Sequence, residues 1–114
     1  MANVTIYHNP RCTKSRQTLA LLHEHGVEPN IIEYLKTPPS EKDLADLALK
    51  LELKPEKMVR KKEARAIGLT NIDDPKQWIS AMAQHPEIIE RPIVCVGKRA
   101  RIGRPPENVL DLLC

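Results

Sequence analysis

The order of short strand and helix patterns limits this chain more than any other feature, because proline and glycine bound each piece and few topologies accept the order. Val4, Ile6 and the residues between them form a strand pattern stopped by Asn9-Pro10. A helix is expected from about Ser15 to His25, with Leu19 and Leu22 on one stripe and Gly26 placed to end it. Asn30 to Tyr34 reads as a second strand. Strand, helix and strand in this order make a β-α-β unit whose right-handed crossover sets the two strands parallel.

A helical stretch follows. Pro38-Pro39 is a stop, Ser40 is an N-cap, and Asp43 brings acidity to the first turn of a helix carrying Leu44, Leu47, Ala48 and Leu51. Between Lys54 and Thr70 the pattern weakens into charged pieces, including Arg60-Lys61-Lys62 and Arg65, where one short helix and a loop are expected. Asp74-Pro75 is a cap followed by proline at the first helical position, and Trp78, Ile79 and Met82 carry that helix to about Gln84. After Arg91-Pro92, Ile93 to Val96 and Arg99 to Ile102 read as an antiparallel hairpin turned by Gly97-Lys98. Arg104-Pro105-Pro106-Glu107 then opens a final helix bearing Val109, Leu110, Leu112 and Leu113. The whole reads β-α-β, a helical insertion, then β-β-α, an α/β fold.

With 114 residues, the chain is long enough for one compact domain and too short for two, so residues 1–114 are read as a single domain. Having no Phe and one Trp, it must build its core from Leu, Ile, Val and Ala. The net charge of +3 is mild and the cations are spread along the chain, which, with stacking aromatics so scarce, argues against a nucleic-acid partner. No run approaches membrane-spanning length, and Met1 leads directly into a strand pattern without a charged leader, so no membrane partner and a cytoplasmic location are expected. Three cysteines, Cys12, Cys95 and Cys114, cannot all pair within one chain, and reduced thiols suit that location. His23, His25 and His85 have no metal-ligand spacing, and no metal is expected.

Cys12 is the candidate nucleophile. It follows the first strand, with His8 four residues before it, Arg16 four after it, and Arg11 and Lys14 between. An ordinary cysteine, with a pKa of about 8.5, is only a few per cent thiolate at neutral pH, whereas a helix N-terminus and nearby cations both favour the anion. Cys95 alternates within an apolar strand and reads as an inert core residue, while Cys114 is terminal and expected to be exposed.

A cysteine after strand one and a proline just before strand three resemble the thioredoxin superfamily. The His8-x-x-x-Cys12-x-x-x-Arg16 spacing, with Arg60 in Met58-Val59-Arg60-Lys61, Arg91 in Glu90-Arg91-Pro92-Ile93-Val94 and Arg104 in Ile102-Gly103-Arg104-Pro105-Pro106, resembles the glutaredoxin-coupled, ArsC-like arsenate reductase family over essentially the whole chain. The resemblance implies a thioredoxin-like fold with a mixed sheet. It implies Cys12 as the nucleophile that attacks arsenate, His8 and Arg16 as thiolate-stabilising groups, Arg60, Arg91 and Arg104 as oxyanion ligands, and Pro92 as the active-site cis-proline. It further implies no bound cofactor, glutathione as co-substrate and a glutaredoxin as partner that releases arsenite. Guanidinium forks hold a tetrahedral dianion bidentately, which lysine does not do, so phosphate and sulfate are expected to compete. Ser15 stands where thioredoxin-type oxidoreductases keep their second cysteine, so an outside thiol is required unless Cys95 or Cys114 reaches Cys12.

A protein tyrosine phosphatase loop needs five residues between Cys and Arg, and only three separate Cys12 from Arg16. Spx-type regulators that bind RNA polymerase share the fold and the Arg-Pro-Ile element but sense oxidation through a Cys-x-x-Cys, which Ser15 removes. A monothiol oxidoreductase of glutathionylated proteins is a further alternative, needing Cys12 but not the arginines.

Overall fold

A computed structural model describes residues 3–113, so the expectation for Cys114 lies outside the described residues. Two compact units are present, one made of residues 1–37 and 91–114, the other of residues 38–90.

The first unit is built on a four-stranded sheet of order β2-β1-β3-β4, from β1 (Val4–His8), β2 (Asn30–Glu33), β3 (Ile93–Val96) and β4 (Arg99–Ile102). β1 and β2 are parallel, with His8 opposite Glu33, while β1/β3 and β3/β4 are antiparallel, giving the expected mixed sheet. Helix α1 (Thr13–Glu24) makes the crossover. It ends where Gly26 takes φ +77°, a conformation glycine adopts without Cβ strain. Ile6 from β1, Leu22 from α1 and Val94 from β3 pack with Val109 and Leu112 into one buried cluster. Each such side chain contributes about 1.5–3 kcal/mol by leaving water.

The final helix differs from expectation. Residues Pro106–Leu113 form a 3-10 helix, and Pro106, Val109 and Leu112 are its buried residues. A burial step of three fits 3.0 residues per turn, so the stripe that meets the sheet is better served by the tighter helix.

The second unit holds α2 (Glu41–Leu51), α3 (Lys61–Ala66) and α4 (Pro75–Gln84). Ser40 and Asp43 form a reciprocal capping box at α2, and Asp74 caps α4 by accepting from the Lys76 N–H. Buried Leu44, Leu47, Leu51, Met58, Trp78, Met82 and Ile88 form its interior. Where one short helix was expected there are two, a 3-10 turn at Pro55–Met58 and α3, and a further 3-10 turn at Pro86–Ile88 was not anticipated. Proline opens both turns, supplying a helical φ without an amide hydrogen. Val59 bridges Ile89, and the Arg60 N–H donates to Ile88 O at 2.7 Å, fixing Arg60 at the entry to α3.

Candidate functional site

Cys12 is the N-cap residue of α1, with extended backbone and no side-chain oxygen to accept from the first turn. The amides at a helix start have no partners within the helix; the Cys12 side chain makes no capping hydrogen bond of full geometry, but the Ser15 and Lys14 N–H groups face its sulfur closely enough to favour the thiolate. The Cys12 N–H donates to Asn9 O at 3.0 Å and Cys12 O accepts from the Arg16 N–H at 3.0 Å, which pins the thiol between strand and helix.

Burial pushes the Cys12 thiol up, but the Ser15 N–H, the Arg91 side chain, the Lys14 N–H and the Arg91 charge together outweigh it, and the net pKa is lowered. A thiolate at the start of a helix also meets the positive end of the helix dipole. Arg104 Nη2 lies 3.8 Å from Cys12 Sγ, a long contact, so Arg91 is the guanidinium that acts most strongly on the thiol. Arg104 Nε donates to Arg91 O at 3.0 Å, coupling the two arginines.

The ends of the hairpin hold this pair. The Gly103 N–H donates to Pro92 O at 2.9 Å, so the segment leaving β4 lies against the one entering β3. The Arg91–Pro92 bond is cis, as is Arg104–Pro105. A methyl group on Gly103 would stand 2.6 Å from Thr18 Oγ1 and 2.8 Å from Pro92 Cγ, which shows how closely α1 and the hairpin meet.

His8 and Arg16 are turned to other partners. His8, buried at the end of β1, places Nδ1 2.6 Å from Ser15 Oγ, and that hydroxyl also accepts from the Asn9 N–H at 3.0 Å. Burial lowers the His8 pKa, Glu33 opposes it and Arg16 adds to it, so the ring is neutral at pH 7 and carries no cation to the thiolate. It holds Ser15, whose amide faces the sulfur. Arg16 donates through Nη1 to Pro10 O at 2.9 Å and through Nη2 to Thr13 Oγ1 at 3.3 Å, bracing the loop.

Arg60 lies in the second unit, with Nε 3.1 Å from Glu63 and 3.9 Å from Glu90. Its Nη1 is buried without a hydrogen-bond partner among the described residues. Cys95 is buried in β3, paired in register with Thr5 and Ala100. Among the described residues no group of three or more His, Cys, Asp or Glu could hold a metal, and no helix is long and apolar enough to cross a membrane.

Sequence reasoning passed over Tyr34. Placed in the second strand, it stands one residue beyond β2, and the parallel register sets it level with Asn9 at the carboxyl ends of β1 and β2. It is 1% exposed. The signal was available: a tyrosine at the carboxyl end of a strand parallel to the one that delivers the nucleophile stands where such sheets bind ligands.

A model of the ArsC family matches residues 7–112. The chain is 46% identical over 114 residues to the uncharacterized protein YfgD of Escherichia coli K12, with 96% of each chain covered. It is 44% identical over 115 residues to an arsenate reductase of Haemophilus influenzae, covering 97% of this chain and 99% of that one. Among solved structures, an arsenate reductase from Vibrio cholerae superposes with a TM-score of 0.87 at 44% identity, covering 97% of this chain and 98% of the other.

Proposed function

The chain belongs to the ArsC family, and on that premise we propose that it reduces arsenate to arsenite, with Cys12 as nucleophile and a tetrahedral oxyanion seated on Arg91 and Arg104. The observation that supports this best is a single sulfur that stands at the start of α1, has a lowered pKa, and is met by the side chains of both arginines. Arg60 is proposed as a further oxyanion ligand on the family resemblance alone. The Haemophilus and Vibrio relatives are described as arsenate reductases over nearly the full length of this chain.

In the proposed reaction the Cys12 thiolate attacks arsenic and displaces one oxygen, giving a cysteine S-arsenate in which arsenic is still pentavalent. Glutathione then displaces a second oxygen from that adduct as water, forming a new arsenic–sulfur bond. A glutaredoxin thiolate then attacks the glutathione sulfur, the arsenic–sulfur bond to glutathione breaks with its electron pair left on arsenic, giving the mixed disulfide and Cys12-bound arsenic(III), and water displaces the Cys12 sulfur so that arsenite leaves and the thiolate is restored. Ser15 and buried Cys95 support an outside electron donor, since neither provides a resolving thiol in the active-site loop. The guanidinium groups bind phosphate as they bind arsenate, so selection between the two falls at the thiol step, where arsenic accepts electrons and phosphorus does not.

The test is arsenite formation with glutathione and glutaredoxin, run beside Cys12→Ser. Activity lost completely in Cys12→Ser is expected. A wild type silent with every thiol donor overturns the reading, and polymerase binding or deglutathionylation would then be measured in its place.

A further inference from the structure

Tyr34 is the buried polar group that the reaction as described does not use. Its side chain is 1% exposed, and its hydroxyl makes no hydrogen bond of proper length and angle among the described residues. A phenol left in this state is costly unless something else completes it. Its surroundings are those of the nucleophile: the Asn9 and Arg91 side chains approach it as donors without reaching full hydrogen-bond geometry, and the charges of Arg91 and Cys12 act on it. Burial raises its pKa above the ordinary value, with Arg91 and Asn9 offsetting only part of this and the Cys12 charge adding to it. The phenol is therefore neutral at physiological pH.

A neutral hydroxyl offers something that the other groups at the sulfur do not. The arginines and the amides of Lys14 and Ser15 only donate. The carbonyl oxygen of Asn9's side chain already accepts from the Arg11 N–H at 3.0 Å. Arsenate and phosphate at neutral pH are hydrogen-bearing dianions, so one of their oxygens carries a proton that needs an acceptor once water is excluded. Sulfate carries none. A site made of donors alone fits sulfate better than hydrogen arsenate.

We infer that the Tyr34 hydroxyl is a ligand of the bound anion that accepts the proton-bearing oxygen of a hydrogen arsenate-type dianion, and that it makes the site prefer protonated tetrahedral oxyanions to sulfate. This rests on the anion-binding part of the reading above and deepens it. The phenol's own proton then points to the sulfur, so that the anion meets the hydroxyl only as an acceptor.

The test measures protection of Cys12 from alkylation by phosphate and by sulfate, in the wild type and in Tyr34→Phe, without any need for turnover. Tyr34→Phe is expected to weaken protection by phosphate about tenfold, the factor one ordinary hydrogen bond controls, and to leave sulfate protection unchanged. Because the hydroxyl makes no hydrogen bond of full geometry among the described residues, the variant is expected to melt close to the wild-type temperature. If Tyr34→Phe fails to fold, 3-fluorotyrosine at position 34, a poorer acceptor of unchanged shape, is expected to lower the phosphate-to-sulfate ratio in the same direction. An equal loss for both anions, or no loss for either, overturns the inference while leaving the anion site standing. A wild type protected by neither anion overturns the anion site itself, and this inference with it.

Discussion

Gly103→Ala tests how the hairpin positions the two arginines. The added methyl would stand 2.6 Å from Thr18 Oγ1, 2.8 Å from Pro92 Cγ and 3.1 Å from Thr18 Cγ2, all inside the 3.4 Å at which ordinary contact begins. Thr18 is fully buried and donates to Lys14 O at 2.8 Å, so rotating it away loses a hydrogen bond of about 1 kcal/mol. Pro92 is a closed ring whose carbonyl holds the Gly103 N–H, so the backbone must move. Overpacking of this kind costs about 1–3 kcal/mol, and with the lost bond the expected destabilisation is about 2–4 kcal/mol. Urea denaturation reads it as a lower midpoint at unchanged slope. Because Arg91 precedes Pro92 and Arg104 follows Gly103, protection of Cys12 by sulfate should weaken as well. Gly26→Ala is the control: φ is +77° and nothing lies within 4 Å, so it should lose about 1 kcal/mol of stability and leave sulfate protection untouched. If Gly103→Ala kept the wild-type midpoint and full sulfate protection, the close meeting of α1 with the hairpin would not be what holds the arginines.

Arg104→Lys keeps the charge but cannot bond Arg91 O and reach the sulfur side together; anion protection should fall about 10–100-fold, as measured by the sulfate concentration needed for half protection. Ser40→Ala removes half of a capping box and should cost about 1 kcal/mol in urea with no change in Cys12 reactivity. His8 has a lowered pKa in the folded chain, so its neutral form favours folding above the unfolded value of about 6.5, and that stability is lost as pH falls through the lower folded value; His8→Gln should flatten the acid side of a stability-against-pH curve. We propose that residues 1–114 unfold as one domain: Trp78 fluorescence, which reports the second unit, and far-ultraviolet circular dichroism, which reports both, should give coincident transitions, and separated midpoints would contradict this.

Local signals carried most of the fold. β3 and β4 were readable to the residue because Gly97-Lys98 and the flanking prolines bound two short strand-like runs, and the caps at Ser40 and Asp74 were readable from single side chains. The 3-10 turns were not, since the choice between three and 3.6 residues per turn at Pro106–Leu113 depends on which residues meet the sheet. At the site, the position of Cys12 was readable and its stabilising contacts were not. Arg16 is close in sequence, yet its guanidinium turns back to Pro10 O, while Arg104 reaches the sulfur from 92 residues away. Charge near a cysteine in the chain says nothing about where the side chains point. Tyr34 was passed over although its place at the carboxyl end of a parallel strand was legible, because a buried aromatic at a strand end also reads as core until its side chain is seen beside Arg91 and Cys12.

The most direct measurement is the rate of Cys12 alkylation as a function of pH, taken with Cys95 and Cys114 both replaced by serine. The account predicts a midpoint below the ordinary cysteine value of about 8.5, and one that rises when Arg91 is replaced by Gln. A midpoint at or above 8.5, unmoved by that replacement, would contradict an activated thiolate held by arginine and the start of α1.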